Sequence, residues 1–361
     1  MGQFGKRDDM VVHESEPYNA EPPRSGLLGA LTEESSFYSR NHGPIPQLDA
    51  ATWRLTVDGL VDHELVLSLI ELREQFAERS LVATLQCAGN RRSGLLEVRD
   101  IPGEDPWGSG ATSTAHWTGV ALADVLSAAG LHADARHVAF AAPDVSQLAK
   151  PPQPYGASID VTKASRPEVL LAWAMNGVPL AAVHGAPVRV IVPGFIGARS
   201  VKWVERITAQ TEPSENYFQA TAYRMLPADA DPGAAGPGDG ISLTSLALNS
   251  AILSPDAGTT VAAGPTEITG YALAGDERVV ARLDVSQDEG RTWVQADLDE
   301  PESAWSWQHW RTTLDLAPGQ VRITVRAWDS TAAAQPESPR HLWNPKGYVN
   351  NSWDRLELTV V

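Results

Sequence analysis

The chain has 361 residues, 43% of them hydrophobic, with 29 Gly and 26 Pro; that is enough to bury a full core in one large domain or two ordinary ones, with many turns. A formal charge of −17 argues against nucleic acid and anionic membranes as partners. One cysteine rules out an internal disulfide and the cysteine sets of zinc fingers and iron–sulfur clusters.

Residues 1–35 are polar and without periodicity, and are expected to form an extended or partly disordered arm. They contain no apolar segment of the signal-peptide kind, so a cytoplasmic location is expected. Alternation of Trp53, Leu55 and Val57 predicts a strand. Ser68 followed by Glu71 forms a capping box that opens a short helix. Leu81–Leu85 reads as a strand that delivers Cys87 into a loop. Leu122–Ala129 reads as a helix stopped by Gly130, and Arg136–Ala141 as a strand. Pro167–Met175 is predicted helical, with Pro167 in the first turn. Val188–Val192 is predicted as a strand ended by Pro193-Gly194. The apolar runs near 169–175 and 188–197 are far too short to span a bilayer. Strands and short helices mix here without a βαβ repeat, which indicates an α+β class. Residues 227–240, rich in Gly, Pro, Ala and Asp, read as a linker. Beyond it, short strands over 266–271, 279–285, 292–294, 322–328 and 356–360 alternate with Gly, Pro and Asp turns, the spacing of a β-sandwich. Asp288-Glu289-Gly290 is one such turn, and no long helix is expected after Gly240.

Chemistry concentrates at Gln86-Cys87-Ala88-Gly89-Asn90-Arg91-Arg92. Two guanidiniums beside the lone thiol favour its thiolate, which is a nucleophile or a soft metal ligand. A buried structural cysteine is the plain alternative. A cysteine hydrolase pairing Cys87 with His184 has no local signature to support it.

Taken with Arg40-Asn41-His42, His184-Gly185-Ala186-Pro187-Val188-Arg189, Gly197-Ala198-Arg199-Ser200-Val201-Lys202-Trp203 and Trp343-Asn344-Pro345-Lys346-Gly347, this segment resembles the sulfite oxidase family of molybdenum-cofactor enzymes. The resemblance runs from about Tyr38 to Val361. It implies an N-terminal arm (1–35), a mixed α/β molybdopterin-binding catalytic domain (36–226), the linker, and an immunoglobulin-like β-sandwich dimerisation domain (241–361). A haem domain has no counterpart, so no haem is expected in this chain. Electrons must then leave to an external acceptor such as a cytochrome c.

The implied reaction is oxidation of sulfite to sulfate by oxygen-atom transfer; nitrate or S-oxide chemistry on the same scaffold is the alternative. Cys87 matches the molybdenum ligand. Arg92, Arg40 and Lys346 match an anion pocket, where guanidinium forks suit sulfite oxygens. Lys346 stands where animal sulfite oxidases carry arginine and eukaryotic nitrate reductases methionine, which favours sulfite. Trp107 matches an aromatic wall of the pocket. Tyr223 matches a tyrosine that manages a proton beside the metal, and Tyr155 is expected to line the pterin site. Arg40, Asn41, His42, Asp144, His184, Arg189, Ser200, Val201 and Lys202 match positions that hold the pyranopterin and its phosphate. Arg91 is expected to be structural.

Overall fold

The computed structural model describes residues 2–361. The segment expected to be an arm is built into the body. Strands β1 (Val11–Ser15) and β2 (Tyr18–Glu21) form an antiparallel hairpin, and Tyr18 and Ala20 are buried. Polarity here does not mean solvation, because the polar groups find partners elsewhere. Asn19 accepts from the Asn41 N–H at 2.6 Å. The Glu21 carboxylate accepts from the N–H groups of Gly108 and Gly110 at 2.6 and 2.7 Å.

The next elements are β3 (Arg54–Gly59), β4 (Leu65–Ser68), α1 (Leu69–Gln75), β5 (Glu78–Gln86), α2 (Arg92–Leu96), β6 (Thr112–Ala121) and α3 (Leu122–Ala129). They continue with β7 (His137–Ser146), β8 (Gln153–Asp160), α4 (Val161–Ala164), β9 (Leu170–Met175), β10 (Val178–Pro179), β11 (Arg189–Ile191) and β12 (Arg206–Gln210). The capping box of α1 forms as expected: Glu71 N–H donates to Ser68 Oγ, and Ser68 N–H donates back to the Glu71 carboxylate. Gly130 ends α3 at φ 72°.

Two five-stranded sheets result, one ordered β10-β9-β6-β5 with β11 also paired to β9, the other ordered β4-β3-β12-β7-β8. Their facing sides share one apolar core that includes Leu55, Val57, Phe140, Val188, Val190 and Ile207. Residues 167–175, expected as a helix, correct to a turn followed by strand β9. Leu170, Leu171, Ala172, Trp173 and Met175 are all buried, because β9 lies between β6 and the pair β10 and β11. A strand covered on both faces gives an unbroken apolar run, which periodicity alone does not separate from a buried helix.

The two-residue strands β13 (Arg224–Met225) and β14 (Ile241–Ser242) pair across residues 227–240. Arg224 donates to the carbonyls of Gly238, Asp239 and Gly240, so the linker is a closed loop. The C-terminal part adds β15 (Asn249–Ser254), β16 (Thr260–Val261), β17 (Gly264–Leu273), β18 (Val280–Ser286), β19 (Val294–Gln295), β20 (Asp297–Leu298), β21 (Gln308–Leu316), β22 (Gly319–Asp329) and β23 (Asp354–Val360). A four-stranded sheet, β15-β17-β21-β20, faces a five-stranded one, β16-β23-β22-β18-β19, around a separate core that includes Ile252, Ile268, Leu283 and Trp310. No α-helix follows Gly240.

The sandwich is fastened to the first part close to Cys87. Trp307 N–H donates to Thr84 Oγ1 at 2.8 Å on β5, and Tyr271 hydroxyl donates to the Ser109 carbonyl at 3.0 Å.

Candidate active site

Cys87 leaves the end of β5 in a tight turn. Its N–H donates to the Ala111 carbonyl at 2.9 Å, its carbonyl accepts from Asn90 N–H at 3.0 Å, and its Sγ accepts from Gly89 N–H at 3.4 Å. The sulfur is shielded, the residue being 7% exposed. Arg91 then takes a left-handed conformation, φ 62°, which sends consecutive guanidiniums in different directions. Arg91 is structural, as expected: it bonds Asn249, the carbonyls of Ser250 and Ser352, and Asp354 at 2.8–3.1 Å. Arg92 turns back over the turn. A Cβ on Gly89 would lie 2.6 Å from its Nη2, and one on Gly347 2.7 Å from its stem, so both glycines are needed for the approach.

The charge state of the thiol departs from expectation. Burial pushes the Cys87 thiol up from its ordinary value, and Arg92 and Arg40 pull it down by less. The free protein therefore holds a thiol, and a thiolate forms when a bound metal displaces the proton.

Arg40, Arg92 and Tyr223 stand near the sulfur, and Tyr348 packs beside Arg92 and Tyr223. The Tyr223 and Tyr348 rings stack at 5.5 Å, and Arg92 lies 5.5 Å from the Tyr348 centroid. Tyr223 O–H donates to His42 Nε2 at 2.7 Å. Burial, then Arg40 and Lys202, push His42 well down, so its ring is neutral and can accept that bond. His42 also stacks on Tyr155 at 4.8 Å, whose hydroxyl donates to the Ala198 carbonyl at 2.7 Å.

Deeper in, cations crowd together. Lys202 Nζ donates to Asn41 Oδ1, and to the carbonyls of Arg40 and Val183 at 3.1 Å. Arg189 donates to the carbonyls of His184 and Ser200 at 2.9 and 3.1 Å. His184 Nε2 lies 2.6 Å from Lys6 Nζ, delivered by the N-terminal segment. Desolvation pushes Lys202 and His184 well down, lowers Arg189 to about 10 and Lys6 to about 7. Asp144 is held up to about 7 by burial despite Lys202.

Most of these residues line one cleft, whose thiol end is marked by Cys87, Arg40 and Tyr223. His42, Asn41 and Tyr155 also line it, as do Asp144, His184, Arg189, Ser200 and Lys202. Arg92 and Lys346 are not among the lining residues; they stand beside the thiol end and share Glu104 as partner. Val201 is buried and offers only its carbonyl, which accepts from Val190 N–H at 2.8 Å. Trp107, expected as an aromatic wall, is fully buried, packs edge-on to His13 at 4.6 Å and, like Arg92 and Lys346, is not among the residues lining the cleft. Missed by sequence reasoning were Lys6, Tyr38 and the carboxylates Glu104 and Asp105. Lys6 and Tyr38 carried no motif. Glu104 and Asp105, in the loop after α2, carried none either.

The cleft fits a molybdopterin group. Asp144 Oδ1 and Arg189 Nε are buried without partners, an acceptor and a donor facing space. The crowded cations suit a phosphate. A Cβ on Gly197 would lie 2.7 Å from Tyr38 Oη and 3.1 Å from the Gln86 carbonyl, so glycine permits the close backbone approach there. Among the described residues no group of three or more His, Cys, Asp and Glu side chains converges to cage a metal. A metal at Cys87 thus needs its remaining ligands from a bound group rich in soft donors.

Comparison with known proteins agrees. Residues 42–218 match the oxidoreductase molybdopterin binding domain, and residues 241–361 the Mo-co oxidoreductase dimerisation domain. The chain is 39% identical to mitochondrial sulfite oxidase of Rattus norvegicus over 97% of its own length, and spans 65% of that protein. It is 37% identical to sulfite oxidase of Arabidopsis thaliana over 98% of its length, spanning 95% of that protein. The sulfane dehydrogenase SoxCD of Paracoccus pantotrophus superimposes with TM-score 0.81 at 25% identity, covering 96% of this chain and 86% of that one. By sequence, fold and the donor set around Cys87, the chain belongs to the sulfite oxidase family of molybdopterin-dependent oxidoreductases.

Proposed function

We propose that the protein oxidises sulfite to sulfate and passes the electrons to an external acceptor, a cytochrome c being the natural candidate. One observation carries the reading: Arg40 and Arg92 stand close enough to a shielded thiol to act on its charge, Lys346 shares Glu104 with Arg92, and the thiol opens on a cleft that suits a resident anionic cofactor. Cys87 and the basic set Arg189, Lys202 and His184 would hold molybdopterin, which when bound supplies the oxygen-atom transfer and two-electron chemistry.

The chain's own side chains do the rest. The guanidiniums and Lys346 bind and orient the dianion beside the sulfur of Cys87. Burial holds the proton on the Tyr223 oxygen, and neutral His42 accepts from that hydroxyl at 2.7 Å and fixes its orientation. Burial of Tyr38, Tyr223 and Tyr348 keeps bulk water from the thiol end.

The same reading divides the chain at residues 227–240 into a catalytic part, 36–226, and a part, 241–361, that joins two copies. A homodimer is expected, and sedimentation showing only a 38.8 kDa species would overturn it. A cytoplasmic location completes the reading and is checked by cell fractionation; among the described residues no helix is long and apolar enough to cross a membrane. The deciding experiment follows sulfite-dependent reduction of ferricyanide and cytochrome c by molybdenum-loaded protein. Reduction of nitrate by reduced viologen, with no activity on sulfite, would replace the proposal with its alternative.

A further inference from the structure

The cations at the thiol end are not free. The loop between α2 and β6 brings a carboxylate against each of them. Glu104 splits its two oxygens, Oε2 lying 3.3 Å from Arg92 Nη2 and Oε1 3.4 Å from Lys346 Nζ. Asp105 Oδ2 lies 4.0 Å from Arg40 Nε.

The remaining donors of Arg92 are spent on the backbone. Its Nε donates to the carbonyls of Lys346 and Gly347, both at 3.2 Å, and its Nη1 to the Asp105 carbonyl at 2.8 Å. Arg92 thus keeps Nη2 for a ligand, and that donor and Lys346 Nζ both face the same carboxylate. Fixed charge-assisted bonds normally run about 2.7–2.9 Å; both Glu104 contacts are longer. Gly103, at φ 79° with nothing within 4 Å of its Cβ position, leaves space beside the loop.

We propose that Glu104 is an internal counter-anion: it holds the donors of Arg92 and Lys346 until an oxyanion takes them over, and so weakens anion binding at this end of the site. The physical reason is competition. An entering anion must displace the carboxylate from the same two donors, and whatever remains of the carboxylate's field opposes a dianion more than a monoanion. This inference rests on the sulfite reading for its substrate class, but its binding arm is independent of turnover.

The test uses cofactor-loaded protein, wild type against Glu104→Gln, with Glu104→Ala as a second variant. Titration calorimetry with sulfate and with nitrate measures binding without any reaction. Sulfate affinity is expected to rise about tenfold or more in both variants, and nitrate affinity by no more than that. In turnover assays the sulfite KM falls and competition by chloride strengthens. Unchanged or weaker sulfate binding in both variants would show that Glu104 only braces Arg92 and Lys346, and would overturn the proposal. Absence of sulfite turnover in every form would instead overturn the reaction assigned above, while calorimetry still decides the role of Glu104.

Discussion

The two ends of the cleft handle positive charge differently. At the thiol end each cation has an opposing carboxylate: Arg92 and Lys346 have Glu104, and Arg40 has Asp105. At the deep end Lys202, Arg189, His184 and Lys6 lean mostly on carbonyls and on each other, with Asp144 near Lys202 and Glu34 near Lys6 as the acids. Compensated charge suits a ligand that comes and goes, because the pocket is tolerable empty. Crowded, uncompensated charge is tolerable only with an anion in residence, which is how a phosphate-bearing cofactor differs from a substrate.

The largest expected effect breaks the thiol end. Cys87→Ser should abolish sulfite turnover, a loss well beyond the roughly 10–100-fold typical of removing an outer partner of a metal site. Circular dichroism should stay native, since the sulfur's one hydrogen bond is a long one, 3.4 Å from Gly89 N–H. Sulfite oxidation at an appreciable rate by the variant would remove Cys87 from the chemistry. The corresponding change at the deep end, Lys202→Met, should act on retention instead. Molybdenum content after gel filtration is expected to drop on the order of tenfold or more, with residual activity tracking residual metal. Full metal content with lost activity would mean that the two ends are not specialised as described.

A smaller effect is expected for Lys346→Met. Losing one charge-assisted contact at 21% side-chain exposure leaves Glu104 opposed by Arg92 alone. The sulfite KM should rise about tenfold, in line with roughly 1.5 kcal/mol for a bond to a charged group, with a far smaller change in kcat. Steady-state kinetics decides it, and a fall in kcat at unchanged KM would place Lys346 in the chemical step and not in anion capture.

What could be read in advance follows the same division. The deep end is carried by contiguous runs, 184–189 and 197–203, on β11 and its flanking turns, so chain order alone brought most of it together. The Cys87 turn was legible for the same reason. Lys6 was not: it meets His184 across 178 positions, and only the docking of the N-terminal hairpin brings it there. Glu104 was equally silent, because a carboxylate in a loop reads as solvated until the partner from position 346 is seen beside it. β9 was misread because its apolar run carries no period to distinguish strand from helix.

The smallest predicted effect sharpens the comparison through pH. Lys6 is buried against His184, with the carbonyls of Glu34 and Phe37 as its other contacts, and desolvation lowers it from 10.5 to about 7 while Glu34 raises it slightly. Between those values the unfolded chain holds a proton that the folded chain has shed, so the cofactor-free protein gains stability as pH rises through that window. The upper limit for one such group is about 1.4 kcal/mol per pH unit, and Lys202 contributes in the same direction. Asp144, raised to about 7, acts in the opposite sense only below that value. Urea midpoints of cofactor-free protein between pH ~7 and ~9.5 should therefore climb, and climb less steeply in Lys6→Met. Loading the cofactor should flatten the wild-type slope, because a phosphate beside these side chains favours their protonated forms. A slope that the loaded protein keeps in full would mean that no anion settles among Lys6, His184 and Lys202, and the contrast between the two ends would lose its basis.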